Sequence, residues 1–114
     1  MVDVPRSRFE ELVADALDSI PEALGRLMDN VWVGVEERAR GEDLLGLYEG
    51  VPLTERETYG GMVLPDRITI YRRPICSMCE SEDEVVATVR DTVIHEVAHH
   101  FGIDDDRLVE LGWA

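Results

Sequence analysis

From Phe9 onward, Leu12, Val13, Ala16, Leu17 and Ile20 recur at helical spacing and leave the positions between them polar. That one-sided stripe predicts an amphipathic helix over 9–20. Pro21 suits a first turn but not a helix interior, so it should end this helix and open a short second one over 22–28. Val31 to Val35 is a short apolar run rich in β-branched residues and reads as a strand. Residues 44–51 fit neither period cleanly, with Gly46 and Gly50 interrupting them. Thr58 to Asp66, holding Gly60-Gly61 and Pro65-Asp66, should be loop. Over 67–71, Ile68 and Ile70 alternate with Thr69 and Tyr71, the period of a half-buried strand.

The strongest element comes next. Ser81 with Glu84 forms a capping-box pattern, and Glu82 and Asp83 add the negative charge that a helix N-terminus favours. Val85, Val89, Val93 and Val97 then repeat every four residues, widened by Val86, Ile94 and Phe101. Gly102 stands where a left-handed cap would close the helix. These signals predict a helix over 82–101 and a shorter one over 105–111, with Asp104 as its N-cap. A helix, then strands, then helices argues for an α+β fold: a small mixed sheet packed on the N-terminal helix and the 82–101 helix.

Composition narrows the function classes. The chain of 114 residues carries 25 acidic against 11 basic side chains, a net charge of −14. All the basic residues are arginine. Such an acidic surface argues against nucleic acid, whose phosphates require a basic field, and against anionic membranes. No run approaches the roughly 18 apolar residues of a membrane span. No apolar segment follows Arg6 and Arg8 to make a secretory signal. Length and hydrophobic content fit one domain spanning 1–114 with a core of its own. Two cysteines, Cys76 and Cys79, do not make a disulfide framework, so the expected compartment is the cytoplasm. As a lone C-x-x-C pair they read as incidental rather than as a metal or redox site. Trp32 and Trp113 read as core or interface anchors.

All three histidines lie within the string His95-Glu96-Val97-Ala98-His99-His100-Phe101-Gly102-Ile103-Asp104-Asp105. On a helix, His95 and His99 stand ~40° apart around the axis and ~6 Å along it. Two imidazoles so placed can converge on one metal ion, Zn²⁺ in the first instance. Glu96, about 100° round from His95, can act as general base on a water that the metal activates without being a ligand itself. A third ligand must come from chain that turns back at Gly102, where Asp104, Asp105 and Asp106 follow. His100 points elsewhere and reads as a packing residue or a support for the site.

This string, as His-Glu-x-x-His-x-x-Gly-x-x-Asp, resembles the zincins whose third ligand is aspartate. With Leu64-Pro-Asp-Arg-Ile-Thr-Ile-Tyr71 before the helix, the chain resembles along most of its length the small bacterial single-domain zincin-like metallopeptidases. The resemblance implies a minimal zincin-like fold, metal ligands His95, His99 and Asp105, catalytic Glu96, and a peptide or protein substrate. It further implies that strand 67–71 flanks the cleft, where an extended peptide would pair along its edge. The chain departs from the long-motif zincins in having no methionine in residues 106–114. Candidates for stabilising an oxyanion are all upstream: Tyr48, Tyr59, Tyr71, Arg72 and Arg73.

Two other readings stand beside the peptidase. One is a non-catalytic zincin-like domain that binds metal or a partner chain. The other is a metal-dependent hydrolase similar to the small ribosomal-RNA endonucleases. There, glycine stands in place of Glu96 and histidine in place of Asp105, and the negative charge opposes an RNA substrate. A homodimer is expected only on the general frequency of symmetric pairs.

Overall fold

The computed structural model describes residues 1–28, 30–41, 43–50 and 65–111, except for the side chains of Ala23, Asp105 and Leu111. The first helix, α1, runs Arg6–Asp18 and buries Phe9, Leu12, Val13 and Ala16 on the predicted stripe. It starts three residues before the predicted first turn, directly after Pro5, whose carbonyl accepts from the Phe9 amide at 2.9 Å. The second helix, α2, is one turn only, Glu22–Gly25, shorter than the expected 22–28 because Gly25 lacks the propensity to carry it on.

Strand β1 is Val31–Glu36, β2 is Gly46–Glu49 and β3 is Asp66–Tyr71. They form one mixed sheet in the order β1-β3-β2, with β1 parallel and β2 antiparallel to β3. Two expectations about the 67–71 strand are overturned. It is not half-exposed, since Thr69 and Tyr71 are buried along with Ile68 and Ile70. Nor can it offer an edge to a peptide, because β1 and β2 take up its hydrogen bonds on both sides. Of the predicted 58–66 loop, Asp66 is the first residue of β3, and 58–64 lie outside the described residues.

Helix α3, Arg72–Met78, follows β3 without a break and was not foreseen; seven residues containing Pro74 show no clear amphipathic period. Helix α4 spans Glu82–His100. Ser81 Oγ accepts from the Glu84 amide at 3.2 Å, while the Glu84 carboxylate reaches back to the Glu80 amide, one residue short of the usual reciprocal bond. Helix α5 is Asp105–Leu111, capped by Asp104, whose Oδ1 accepts from the Arg107 amide at 2.9 Å.

Phe9, Val13, Val35, Ile68, Ile70, Ile75, Val85, Val89, Val93 and Val97 form a continuous core among α1, the sheet, α3 and α4. The cysteines contribute to it: both are buried and free, with Cys79 Sγ 3.5 Å from Thr88 Oγ1. Trp32 is instead 45% exposed, with the Arg67 guanidinium 4.9 Å from its ring centroid. Trp113 lies outside the described residues. Among the described residues, no helix is long and apolar enough to cross a membrane.

Candidate metal centre

The last two turns of α4 carry the chemistry. Its apolar stripe faces the core, and the same rotation leaves His95 and His99 half-buried at the side of the helix. Their ring centroids are 4.7 Å apart at an interplanar angle of 67°. Glu96 is 6% exposed and places Oε1 3.2 Å from His99 Nδ1. One donor atom from each of His95, Glu96 and His99 lies within 4.8 Å of the other two. Two imidazoles that close together suit a borderline-soft dication such as zinc, and the carboxylate beside them stands where a base for a water would. So three of the four residues singled out in the sequence come together. The side chain of the fourth, Asp105, lies outside the described residues; its backbone opens α5.

The chain returns toward this end of α4 through the turn at Gly102, which adopts φ 75°. The Gly102 amide bonds the His99 carbonyl at 3.0 Å and the Ile103 amide the Ala98 carbonyl at 2.9 Å. This paired pattern satisfies the last carbonyls of the helix and needs a residue without a Cβ at the left-handed position.

Strand β2 passes directly beside Glu96. A Cβ on Gly46 would stand 2.8 Å from Thr92 Cγ2 and 3.1 Å from Glu96 Cγ. Glycine therefore lets strand and helix meet at the carboxylate. Behind them, Asp66 accepts a hydrogen bond from the Tyr48 hydroxyl at 2.6 Å and lies 2.7 Å from His100 Nδ1. The Tyr48 ring meets His99 and His100 edge-on, at centroid distances of 6.2 and 6.3 Å. His100, read from sequence as a packing residue or a support for the site, is fully buried against Asp66, Tyr48 and Phe101.

The family model for zincin-like metallopeptidases matches residues 28–113. The chain belongs to that family. No curated protein matches it. As in the sequence pattern, the zincin-like helix carries both imidazoles and the intervening glutamate.

The upstream oxyanion candidates fare less well. Tyr48 donates its hydroxyl to Asp66, inside the protein. Arg72 is committed to Glu37, with Nε 2.9 Å from Oε2 and Nη2 2.5 Å from Oε1, and also bonds the Val4 carbonyl. Arg73 reaches toward the same Glu37. Tyr71 is buried in β3, and Tyr59 lies outside the described residues.

A cleft of about 490 Å³ opens beside His95 and Glu96, between α4, the end of α3 and the residue preceding β2. Neither Gly46 nor Asp66 stood out in the sequence as part of a site. Asp66 had a signal: it shares the parity of Ile68 and Ile70, and a carboxylate on an apolar face needs a partner.

Proposed function

We propose that the chain is a zinc-dependent peptidase in which Glu96 is the general base and His95, His99 and Asp105 hold the metal. The observation that carries this reading is the buried Glu96 carboxylate set between two imidazoles, all three donors within 4.8 Å. Asp105, three residues past the Gly102 turn, is the proposed third ligand on the strength of its place in the motif. When bound, the zinc supplies Lewis acidity, polarising the substrate carbonyl and making a water easier to deprotonate. Glu96 takes a proton from the attacking water as its oxygen bonds to the carbonyl carbon. It returns that proton to the amide nitrogen as the C–N bond breaks, so the products are a carboxylic acid and an amine. The Glu96 carboxylate faces little bulk water, which keeps the proton between reactants.

The substrate is a peptide or protein. Its extended backbone would pair along β2, the outer strand among the described residues and the one beside α4, in place of the role first expected of the middle strand. Neither nucleic acid nor a membrane surface is proposed as a partner, given the charge of −14. The free thiols of Cys76 and Cys79 support action in the cytoplasm.

Tyr48, Arg72 and Arg73 are engaged elsewhere, which favours a second reading, a metal-binding domain that turns over no peptide. Two measurements decide. Zinc content of protein purified without chelator should fall in His95→Ala and Asp105→Ala; equal zinc in all three rejects the site. Wild type should cleave members of an unbiased peptide library that Glu96→Gln leaves intact. Zinc binding without cleavage selects the second reading.

A further inference from the structure

One wall of the cleft runs on from the proposed ligand His95 to residues that hydrolysis itself does not use. Asp91, Thr92 and His95 stand three, four and seven residues on from Thr88, so the four form a single stripe along α4, next to the valines of the core. Met78, at the end of α3, lines the opposite side with 59% of its surface exposed, and Leu45 completes the apolar lining. A methionine left this open beside a buried carboxylate offers a flexible, polarisable surface for an incoming alkyl chain. Among the described residues, the charged ones lining the cleft are both acidic: Glu96 at the inner end, and Asp91 one turn of α4 before His95. Asp91 is exposed and has no ion pair among the described residues. Among the described residues, no arginine lines the space.

We infer that this cleft is a subsite for an arginine or lysine side chain of the substrate. Met78 and Leu45 hold the alkyl stem, and Asp91 at the mouth selects the positive charge. Long cationic side chains bury their methylenes against apolar surface while keeping the charged head near water, the profile of an apolar cleft with a carboxylate at its opening. An aliphatic side chain would fill the same lining but leave the charge of Asp91 unused. An acidic side chain would face two carboxylates. The excess of 25 acidic over 11 basic residues draws cationic peptides toward the chain in the same sense. The inference rests on the peptidase reading for which molecule enters the cleft. Its geometry belongs to Leu45, Met78 and Asp91.

The test separates binding from turnover. The zinc-loaded Glu96→Gln chain is titrated with amidated alanine hexapeptides that carry one central arginine, citrulline, norleucine or glutamate. Citrulline keeps the shape of arginine without its charge. Arginine should bind about threefold tighter than citrulline, the scale of one exposed ion pair, with glutamate weakest. The advantage should vanish on adding Asp91→Asn, shrink at high salt, and pass to glutamate with Asp91→Arg. Equal binding of arginine and citrulline, a preference that survives Asp91→Asn, or no binding by any peptide overturns the subsite. Hydrolysis by the wild-type chain is scored separately. Cleavage without arginine preference leaves the peptidase reading standing and removes the subsite; preference without cleavage does the reverse.

Discussion

Asp66 and His100 meet at 2.7 Å with 1% and 0% of their side chains exposed. One comes from the first residue of the middle strand, the other from the last residue of the long helix. Their contact joins the sheet to the end of α4 that holds the candidate metal residues. Removing either partner leaves a buried polar group without its main contact, which costs far more than an exposed pair. Asp66→Ala should therefore lower stability by about 3 kcal/mol in urea unfolding. Asp66→Asn keeps an oxygen acceptor and should cost less, as should Tyr48→Phe, which removes one hydrogen bond worth about 1 kcal/mol. A loss below about 1 kcal/mol for Asp66→Ala would mean that the contact does not hold the helix in place.

Gly46 makes a different kind of contribution, through what it lacks. Its absent methyl leaves β2 and α4 in contact at Thr92 and Glu96. Gly46→Ala forces them apart and should cost about 1–3 kcal/mol as overpacking, together with a measurable drop in peptide turnover. Gly25→Ala serves as the control, since nothing lies within 4 Å of a Cβ there. Thr92→Ser removes the methyl at 2.8 Å and should recover part of the loss in the Gly46→Ala background. Unchanged turnover in Gly46→Ala would show that the strand does not set the position of Glu96.

Acid should act on the other side of the molecule. Hydrogen bonds from Arg72, chiefly, hold the Glu37 carboxyl down at about 2, from an ordinary 4.5. A depressed folded value means that the stabilisation is present above the unfolded value and fades as pH falls from 4.5 toward 2. Glu37 is 37% exposed, so solvent screens the effect and its size is modest. Stability measured by denaturant at successive pH values should decline through that window in the wild type and decline less in Glu37→Gln. Parallel curves for the two proteins would remove Glu37 from the acid response.

Periodicity made α1 and α4 legible because each lays one apolar stripe on the core and carries its own end signals, Pro21 for the first and Ser81 and Gly102 for the second. The His95, Glu96 and His99 grouping was legible for the same reason, since helix geometry alone brings the three together. The rest depended on distant contacts. Residues 44–51 gave no clear period because Gly46 is there for its closeness to α4, a requirement invisible along the chain. Strand β3 alternates like a half-exposed strand, yet pairing on both sides makes it the middle one. Helix α3 is too short to show a period. Asp66 reads as the end of a loop and His100 as a packing or supporting residue, and their contact, 34 positions apart, exists only in the fold.

His99 and His100 are consecutive, so their side chains leave α4 about 100° apart. One belongs to the candidate metal centre, the other to Asp66. Rotation of the helix about its own axis cannot disturb one without disturbing the other. The same holds for a slip along the axis, which would carry His100 away from the fixed carboxylate of the sheet. Neighbouring residues thus act as key and keyway, tying the angular setting of the imidazoles to the hydrogen bonding of the interior.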